Sequence, residues 1–412
     1  MPTNTSRTDL YDVLVVGGGP AGAAAAAVCA RAGLRTAVVE RALFPRDKVC
    51  GDCLNPACWP VLARLGVADA VRALPHAPLR AVEFVGLRGR TIRLGLPDDP
   101  AREEIAVKRR DLDALLLGHA AALGATVRHG WALSAVDTTG RPPLCGGSTA
   151  TITDATGAGR PPEQITARFL VAADGRNSVT ARLTGALPDG AKARRDPQAR
   201  IGLQTHVPCP AGFGPAVQMR WFDDGYGGLC PVGNGELNIS LAAPSRALAR
   251  LKRWAHAEFS LADDHPWRTI APLDRAPAPD AALRVGNVYL VGDAARVVEP
   301  FTGEGIYYAL RSGELAAESI VAAARHEPGR PDPSAPAAEA GQTIATALLS
   351  ETSDAHHAGR YREAHAAMYR GRLWVNRLAR AAGRHPRAAS WALEALRWQP
   401  GWLRLLTAKV VG

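Results

Sequence analysis

The chain has 412 residues, 47% of them hydrophobic and 21% charged, which fits a folded, water-soluble protein of two or three structural units and excludes a disordered chain. A formal net charge of +10 suits an anionic ligand, a nucleic acid or an acidic membrane surface, and the lack of any nucleic-acid-binding motif argues against the second. The abundance of Ala and Arg fits a GC-rich bacterial coding bias, and the seven cysteines, an odd number with no signal sequence before them, favour reduced thiols in a cytoplasm over a disulfide framework.

In chain order, Val13 to Val16 reads as a buried parallel strand, and Gly17-Gly18-Gly19-Pro20-Ala21-Gly22 then supplies GxGxxG. Gly17 allows the tight turn, Gly19 lets the backbone approach a pyrophosphate, and Gly22 lets the following helix pack close to the strand. The alanine-rich helix from Ala23 to Ala32 points its N-terminal amides at that phosphate. After Gly33, Arg35 to Val39 reads as a second strand whose end places Glu40 to accept hydrogen bonds from a ribose diol. The stretch is apolar enough to suggest a membrane span or signal peptide, but glycines and a proline interrupt it and no basic region precedes it.

Residues 41–56 carry charges and two prolines and read as a long, functional loop, with a helix from Ala57 to Leu65 behind it. Leu79 to Leu96 alternates with a period of two around Gly86 and the Arg88-Gly89 turn, so it belongs to a different sheet from the buried N-terminal strand. Lys108 to Leu123 is helical, Thr126 to Val136 returns to strands, Thr138 to Arg160 reads as a hairpin with a mobile tip, and Ile165 to Ala172 is a strand ending in Ala173-Asp174-Gly175. Strands follow at Arg200 to Val207, Ala216 to Phe222 and Glu236 to Leu241, with a helix at Arg246 to Phe259. Asn287 to Gly292 is another apolar strand, followed by a helix from Gly303 to Ala324, a Pro/Ala-rich linker from Glu327 to Ala340, and a mostly helical remainder from Thr343. The pattern predicts an α/β fold. A Rossmann-like dinucleotide domain is expected from 1–75, 106–187 and 284–326, a β-rich domain from 76–105 and 188–283, and a helical C-terminal segment over 343–412.

Two strand–acid sites accompany the glycine fingerprint. Ala173-Asp174-Gly175 is one; Gly292-Asp293-Ala294-Ala295 is the other, followed by Pro300-Phe301-Thr302-Gly303-Glu304-Gly305-Ile306. At a strand's carboxyl end Asp293 can bond a ribityl hydroxyl, and amides at the start of the Gly303–Gly305 helix can face a flavin ring. The order of these motifs resembles the flavoproteins that include aromatic hydroxylases and the geranylgeranyl reductase family, and within them it looks most like the latter. Phe44-Pro45-Arg46-Asp47-Lys48-Val49-Cys50-Gly51-Asp52 is similar to that family's PR-x-K-x-CG segment, Thr302 to Ile306 with Ala309 to Gly313 to its TGEGI…A–SG segment, and Arg109 to Asp113 to its R-x-x-[FL]-D. Gly225-Tyr226 through Pro231, with Asn238, resembles its GY-x-W-x-x-P…N stretch, but Gly228 stands where the family carries an aromatic residue, which opens or reshapes the substrate pocket.

The resemblance implies FAD held by Gly17, Gly19, Pro20, Ala21, Gly22, Glu40, Arg41, Arg46, Arg109, Asp174, Gly175, Gly292, Asp293, Gly303, Gly305 and Ile306. It places Cys50 and Gly51 as catalytic residues at the isoalloxazine ring, with Tyr226 and Pro300 toward a small, apolar substrate. It leaves the electron donor, NAD(P)H or ferredoxin, open. The implied reaction is hydride transfer from reduced flavin to a C=C bond of a lipidic, isoprenoid-type or related secondary-metabolite substrate. The alternative on the same fold is a monooxygenase that hydroxylates an aromatic or polyketide substrate. A halogenase is disfavoured because WxWxIP is missing, and a non-catalytic binding module is disfavoured by the intact Glu40, Asp174 and Asp293.

Cys50-x-x-Cys53, with Cys58 beyond, lacks the second ligand pair of a metal site, so no metal is expected. A redox disulfide at this spacing would also need a second nucleotide fold, which leaves packing or a role at the flavin for Cys50. Near the C-terminus Trp374, Trp391, Trp398 and Trp402 lie among Arg377, Arg380, Arg384, Arg387, Arg397, Arg404 and Lys409. Packing of these aromatics on the substrate domain, as its lid and core, is the preferred reading; peripheral contact with an anionic membrane is the other.

Overall fold

The computed structural model describes residues 9–138, 147–187, 199–273, 278, 280–325 and 359–396. Its centre is a sheet built on β1 (Asp9–Val16), flanked in parallel by β2 (Thr36–Glu40) on one side and by β11 (Glu163–Ala172) on the other. Beyond β2 lies β8 (Thr126–His129), also parallel. The far edge of β11 is shared: its first half pairs with β10 (Ser148–Asp154), itself paired with β9 (Trp131–Asp137), and Leu170 to Ala172 pair in parallel with β18 (Val288–Leu290). The short β17 (Arg284–Val285) closes that edge. Val13, Leu14 and Val15 are almost wholly buried, as a strand covered on both faces requires.

Helix α1 (Pro20–Arg31) lies on this sheet with an almost unbroken run of buried alanines. Small side chains there let α7 (Gly305–Arg325) come within backbone contact: a Cβ on Gly313 would sit 2.1 Å from the Ala21 carbonyl oxygen. Helices α2 (Cys58–Leu65), α3 (Ala68–Arg72) and α4 (Arg109–Ala122) complete that layer, and α5 (Val179–Leu183) follows β11.

The second sheet has seven strands in the order β16 (Arg268–Ile270), β12 (Arg200–Pro208), β15 (Glu236–Pro244), β14 (Gly225–Val232), β13 (Ala216–Phe222), β5 (Ala81–Val85) and β6 (Thr91–Gly95). All neighbours are antiparallel except β13 and β5. Its two faces separate cleanly. Leu229, Leu237, Ile239 and Leu241 pack under α6 (Ser245–Glu258), while Val217, Met219, Trp221, Tyr226 and Cys230 face the other way. A three-stranded sheet of β3 (Cys53–Leu54), β7 (Glu104–Val107) and β4 (His76–Leu79) joins the two.

At the C-terminal end, a helix α8 described over 359–368 docks through Tyr361, whose hydroxyl donates to the Leu290 carbonyl at 2.5 Å. Helices α9 (Leu373–Arg384) and α10 (Pro386–Leu396) cover part of the second sheet. Strand β14 escapes sequence reading because Gly225, Gly227 and Gly228 dilute its β signal. The expected linker at Glu327–Ala340, the tip of the 138–160 hairpin, and Trp398 and Trp402 lie outside the described residues. Among the described residues no helix is long and apolar enough to cross a membrane.

Candidate functional site

A cavity of about 1440 Å³ opens at the carboxyl ends of β1, β2, β11 and β18 and continues over the inner face of the seven-stranded sheet. At its deep end the glycine turn is set by contacts no other residue would fit. Gly17 has φ +105°, and a Cβ on it would lie 2.4 Å from the Ala173 carbonyl oxygen. A Cβ on Gly22 would lie 1.9 Å from the Gly17 carbonyl oxygen, so α1 sits directly on the turn, and Gly22 is the one expected cofactor residue that does not line the cavity. Gly19, Pro20 and Ala21 do line it, at the helix end whose first amides have no intrahelical acceptor.

Glu40 is fixed by two backbone donors, Gly18 N to Oε2 and Ala42 N to Oε1, both at 2.8 Å. Its outer lone pairs stay available to a diol in the cavity. The fully buried Asp113 holds two cations in the wall: Arg109 in a bidentate pair at 2.7 and 2.8 Å, and Arg46 at 3.0 Å. Arg46 Nε also lies 4.0 Å from Glu40, and Arg41 and Lys48 line the space beside this pair of guanidiniums. Burial, with Arg109 nearby, pushes the Lys48 ammonium below its ordinary range, which is the field an anion would relieve.

Asp174 uses one of its two oxygens within the protein. Its Oδ2 caps α5, accepting from Val179 N at 2.8 Å, Thr180 N at 2.9 Å and the Thr180 hydroxyl at 3.0 Å. Only Oδ1 faces elsewhere, buried and without a protein partner. Gly175 beside it has φ +81°. Asp293 follows β18 on a tight turn in which Gly292 N donates to the Ser312 hydroxyl at 2.8 Å, and its carboxylate lies 3.7 Å from Arg176. Beyond Pro300 and the left-handed Gly303, Gly305 and Ile306 bring the start of α7 to the cavity.

The Cys50 loop is held from across the cavity by the second sheet. The Cys50 carbonyl accepts from Gln204 at 2.9 Å, Asn238 at 2.8 Å and Ser240 at 3.3 Å. Asp52, fully buried in the left-handed region at φ 62°, accepts from Asn238 at 2.6 Å and from the Arg109 amide at 3.2 Å, with His206 Nε2 at 2.7 Å. Gly51 needs no tight packing, since a Cβ there would meet nothing within 4 Å. Burial pushes the Cys50 thiol up, and the neighbouring Arg109 guanidinium opposes that shift. Cys53 turns away from Cys50: its sulfur lies 3.6 Å from that of Cys230, 177 residues on. The Cys230 thiol and burial together hold Cys53 well above its ordinary range. All six cysteines in the described residues are free, and no group of three His, Cys, Asp or Glu among those residues is arranged to hold a metal.

Past the loop the cavity is apolar. Tyr226, Gly228 and Cys230 alternate onto it from β14, beside Val217, Met219 and Trp221 of β13, and Phe301 stacks on Trp221 with ring centroids 5.2 Å apart. A Cβ on Gly228 would meet only the Met219 side chain, with Sδ nearest at 3.5 Å, whereas Gly225 is forced by the Ala242 carbonyl at 2.4 Å. The Tyr226 hydroxyl donates to Glu299 at 2.8 Å. Glu299 in turn forms a fully buried bidentate pair with Arg200 at 3.0 and 2.7 Å, and its amide donates to Asn376 of α9. Pro300, next to Glu299, also lines the cavity.

A phosphate-ready helix end, a carboxylate at the end of β2, an arginine-bearing wall, an orphaned Asp174 oxygen and a second helix end make a site that fits FAD. This is the class of FAD-dependent oxidoreductase built on a Rossmann-like domain. Residues 10–199 match the FAD binding domain family. The chain is 33% identical to the menaquinone reductase of Mycolicibacterium smegmatis, over 74% of this chain and 75% of that protein. It is 26% identical to a flavin-dependent halogenase of Armillaria mellea, over 76% of this chain and 68% of that one. The solved geranylgeranyl bacteriochlorophyll reductase-like protein of Thermoplasma acidophilum shares its fold, with a TM-score of 0.66 at 22% identity over 87% of this chain and 86% of that one. The chain belongs to the FAD-binding flavoprotein family, and its cofactor is FAD.

Proposed function

We propose that the protein is a flavin-dependent reductase that reduces a C=C bond of an apolar, isoprenoid-type substrate. The observation that carries this reading is the cavity itself, whose polar, cofactor-fitting end runs without a wall into an apolar floor at Met219, Trp221 and Gly228. The relative named menaquinone reductase supports the same direction.

Bound FAD supplies the hydride once reduced by an external donor. The chain supplies orientation and the proton. Glu40, Arg46 and Arg109, with the ends of α1 and α7, would hold the cofactor, and Asp174 Oδ1 and Asp293 would bind its hydroxyls. The three donors on the Cys50 carbonyl fix the Cys50–Gly51 backbone, so the substrate's alkene is pinned between that loop and the β14 floor. The Cys50 thiol, kept protonated by burial, delivers a proton to the carbon that does not receive hydride. The adjacent Arg109 guanidinium stabilises the thiolate left behind until solvent restores the proton.

Hydroxylation of an aromatic or polyketide substrate is the competing outcome on the same contacts. The test is anaerobic reduction of the purified protein, then rapid mixing with a polyprenyl substrate or with oxygenated buffer. Flavin oxidation by the polyprenyl substrate without oxygen supports the reductase. A long-lived spectral transient with oxygen, followed by hydroxylated product, overturns it.

A further inference from the structure

We infer that the rim of the cavity on α9 and α10 is a docking surface for an anionic lipid bilayer, through which the substrate enters. The inference rests on the apolar substrate of the proposed function. Its structural basis is the way the cavity ends. Leu378, Ala381, His385 and Ala388 line the cavity and are also solvent-exposed, so one mouth of the cavity lies along these two helices. On α9, Trp374, Leu378, Ala381 and His385 recur at i, i+4, i+7 and i+11 and form one stripe opposite the buried Val375, Ala379 and Gly383.

That stripe exposes more apolar surface than solubility needs. Trp374 is 45% and Leu378 49% exposed, and Trp391 on α10 is 64% exposed, so these two C-terminal tryptophans are rim rather than core. The β5–β6 turn extends the patch: Leu87 N donates to the Ser390 hydroxyl at 3.0 Å, and the Arg88 guanidinium lies over the Trp391 ring at 5.0 Å. Arginines border the stripe on α9. Arg377 and Arg384 sit exposed along one flank of the stripe, and Arg387 lies beyond it, 3.3 Å from Asp223. Aromatic anchors flanked by arginines fit the headgroup region of an acidic leaflet and leave the cavity mouth facing acyl chains. The surface lies on the membrane without spanning it.

The test uses the full-length, FAD-loaded protein and vesicles of phosphatidylcholine with or without phosphatidylglycerol. The expected result is co-sedimentation with the anionic vesicles, weakened by salt, together with a blue shift of tryptophan emission. Arg377→Glu with Arg384→Glu should lower partitioning at least about tenfold. Trp374→Ser with Trp391→Ser should abolish the blue shift. Both variants should keep wild-type FAD occupancy and unchanged turnover of a short, water-soluble analogue, which excludes misfolding. Binding no stronger to anionic than to neutral vesicles, or variants that bind as the wild type does, would overturn the inference. Vesicle binding without reduction of any polyprenyl substrate would instead sink the proposed reaction and leave this surface standing.

Discussion

The sharpest prediction concerns Gly22→Ala. The added carbon would lie 1.9 Å from the Gly17 carbonyl oxygen and 3.1 Å from the Ala173 side chain. Carbon and carbonyl oxygen need roughly 3.3 Å, so the first contact is short by more than 1 Å, and the atom it strikes belongs to the backbone of the turn itself. Helix α1 must retreat from β1, and its first amides leave the position where they face the phosphates. Overpacking of this kind costs about 1–3 kcal/mol, which corresponds to a loss of about 5- to 140-fold in FAD affinity if cofactor binding restores the alignment. The same chemical change at Gly118, in the middle of α4 with nothing within 4 Å of its would-be Cβ, serves as the control. Gly118→Ala should leave FAD binding alone and add about 0.5–1 kcal/mol of stability. Titration of the deflavinated proteins with FAD reads both. A Gly22→Ala protein that binds FAD within twofold of wild type would refute the role given to that contact.

Glu299→Gln removes the charge that pairs with Arg200, whose side chain is 1% exposed, and should destabilise the protein by about 3–5 kcal/mol in urea denaturation. Burial pushes the Glu104 carboxyl up to about 7, so the folded chain keeps a proton that the unfolded chain has lost. Stability from this group is therefore full below the ordinary carboxylate range and declines as pH rises through about 7, and Glu104→Gln should flatten that slope in melting curves from about pH 5 to about pH 8. Asp293→Ala should release FAD, measured as flavin fluorescence in the filtrate; full occupancy would remove Asp293 from the cofactor contacts. Cys50→Ala should retain FAD but slow turnover and lose the thiol's limb of the pH–rate profile, and an unchanged profile would reduce Cys50 to packing.

The dinucleotide half of the site is legible in the sequence because its constraints are local. The turn at Gly17 and Gly22, the helix amides and Glu40 all fall within one strand–helix–strand unit, where spacing and residue type determine geometry. The second half is not legible, because its contacts join segments far apart. The Cys50 carbonyl finds donors 154 to 190 residues away, and Cys53 finds Cys230 rather than the cysteine three positions before it. Asp174 shows a third reason. Asp174-Gly175-Arg176-Asn177-Ser178 was readable as a capping turn for the short helix that follows, and that local demand takes one of the two oxygens a cofactor reading would assign to FAD.

The backbone contact between Gly313 and Ala21 also sets a schedule for biosynthesis. Strand β1 and helix α1 emerge first, but β11, which covers one edge of β1, follows some 150 residues later, and α7, which covers α1, about 290 residues later. At ribosomal rates of about 5–20 residues per second, the first helix waits roughly 15–60 s for its partner. Throughout that interval the alanine face of α1 is available to chaperones and to other nascent chains, and so is the edge of β1 until β11 arrives. The lining of the cavity is complete only once translation has passed α7, long after the glycine turn has emerged.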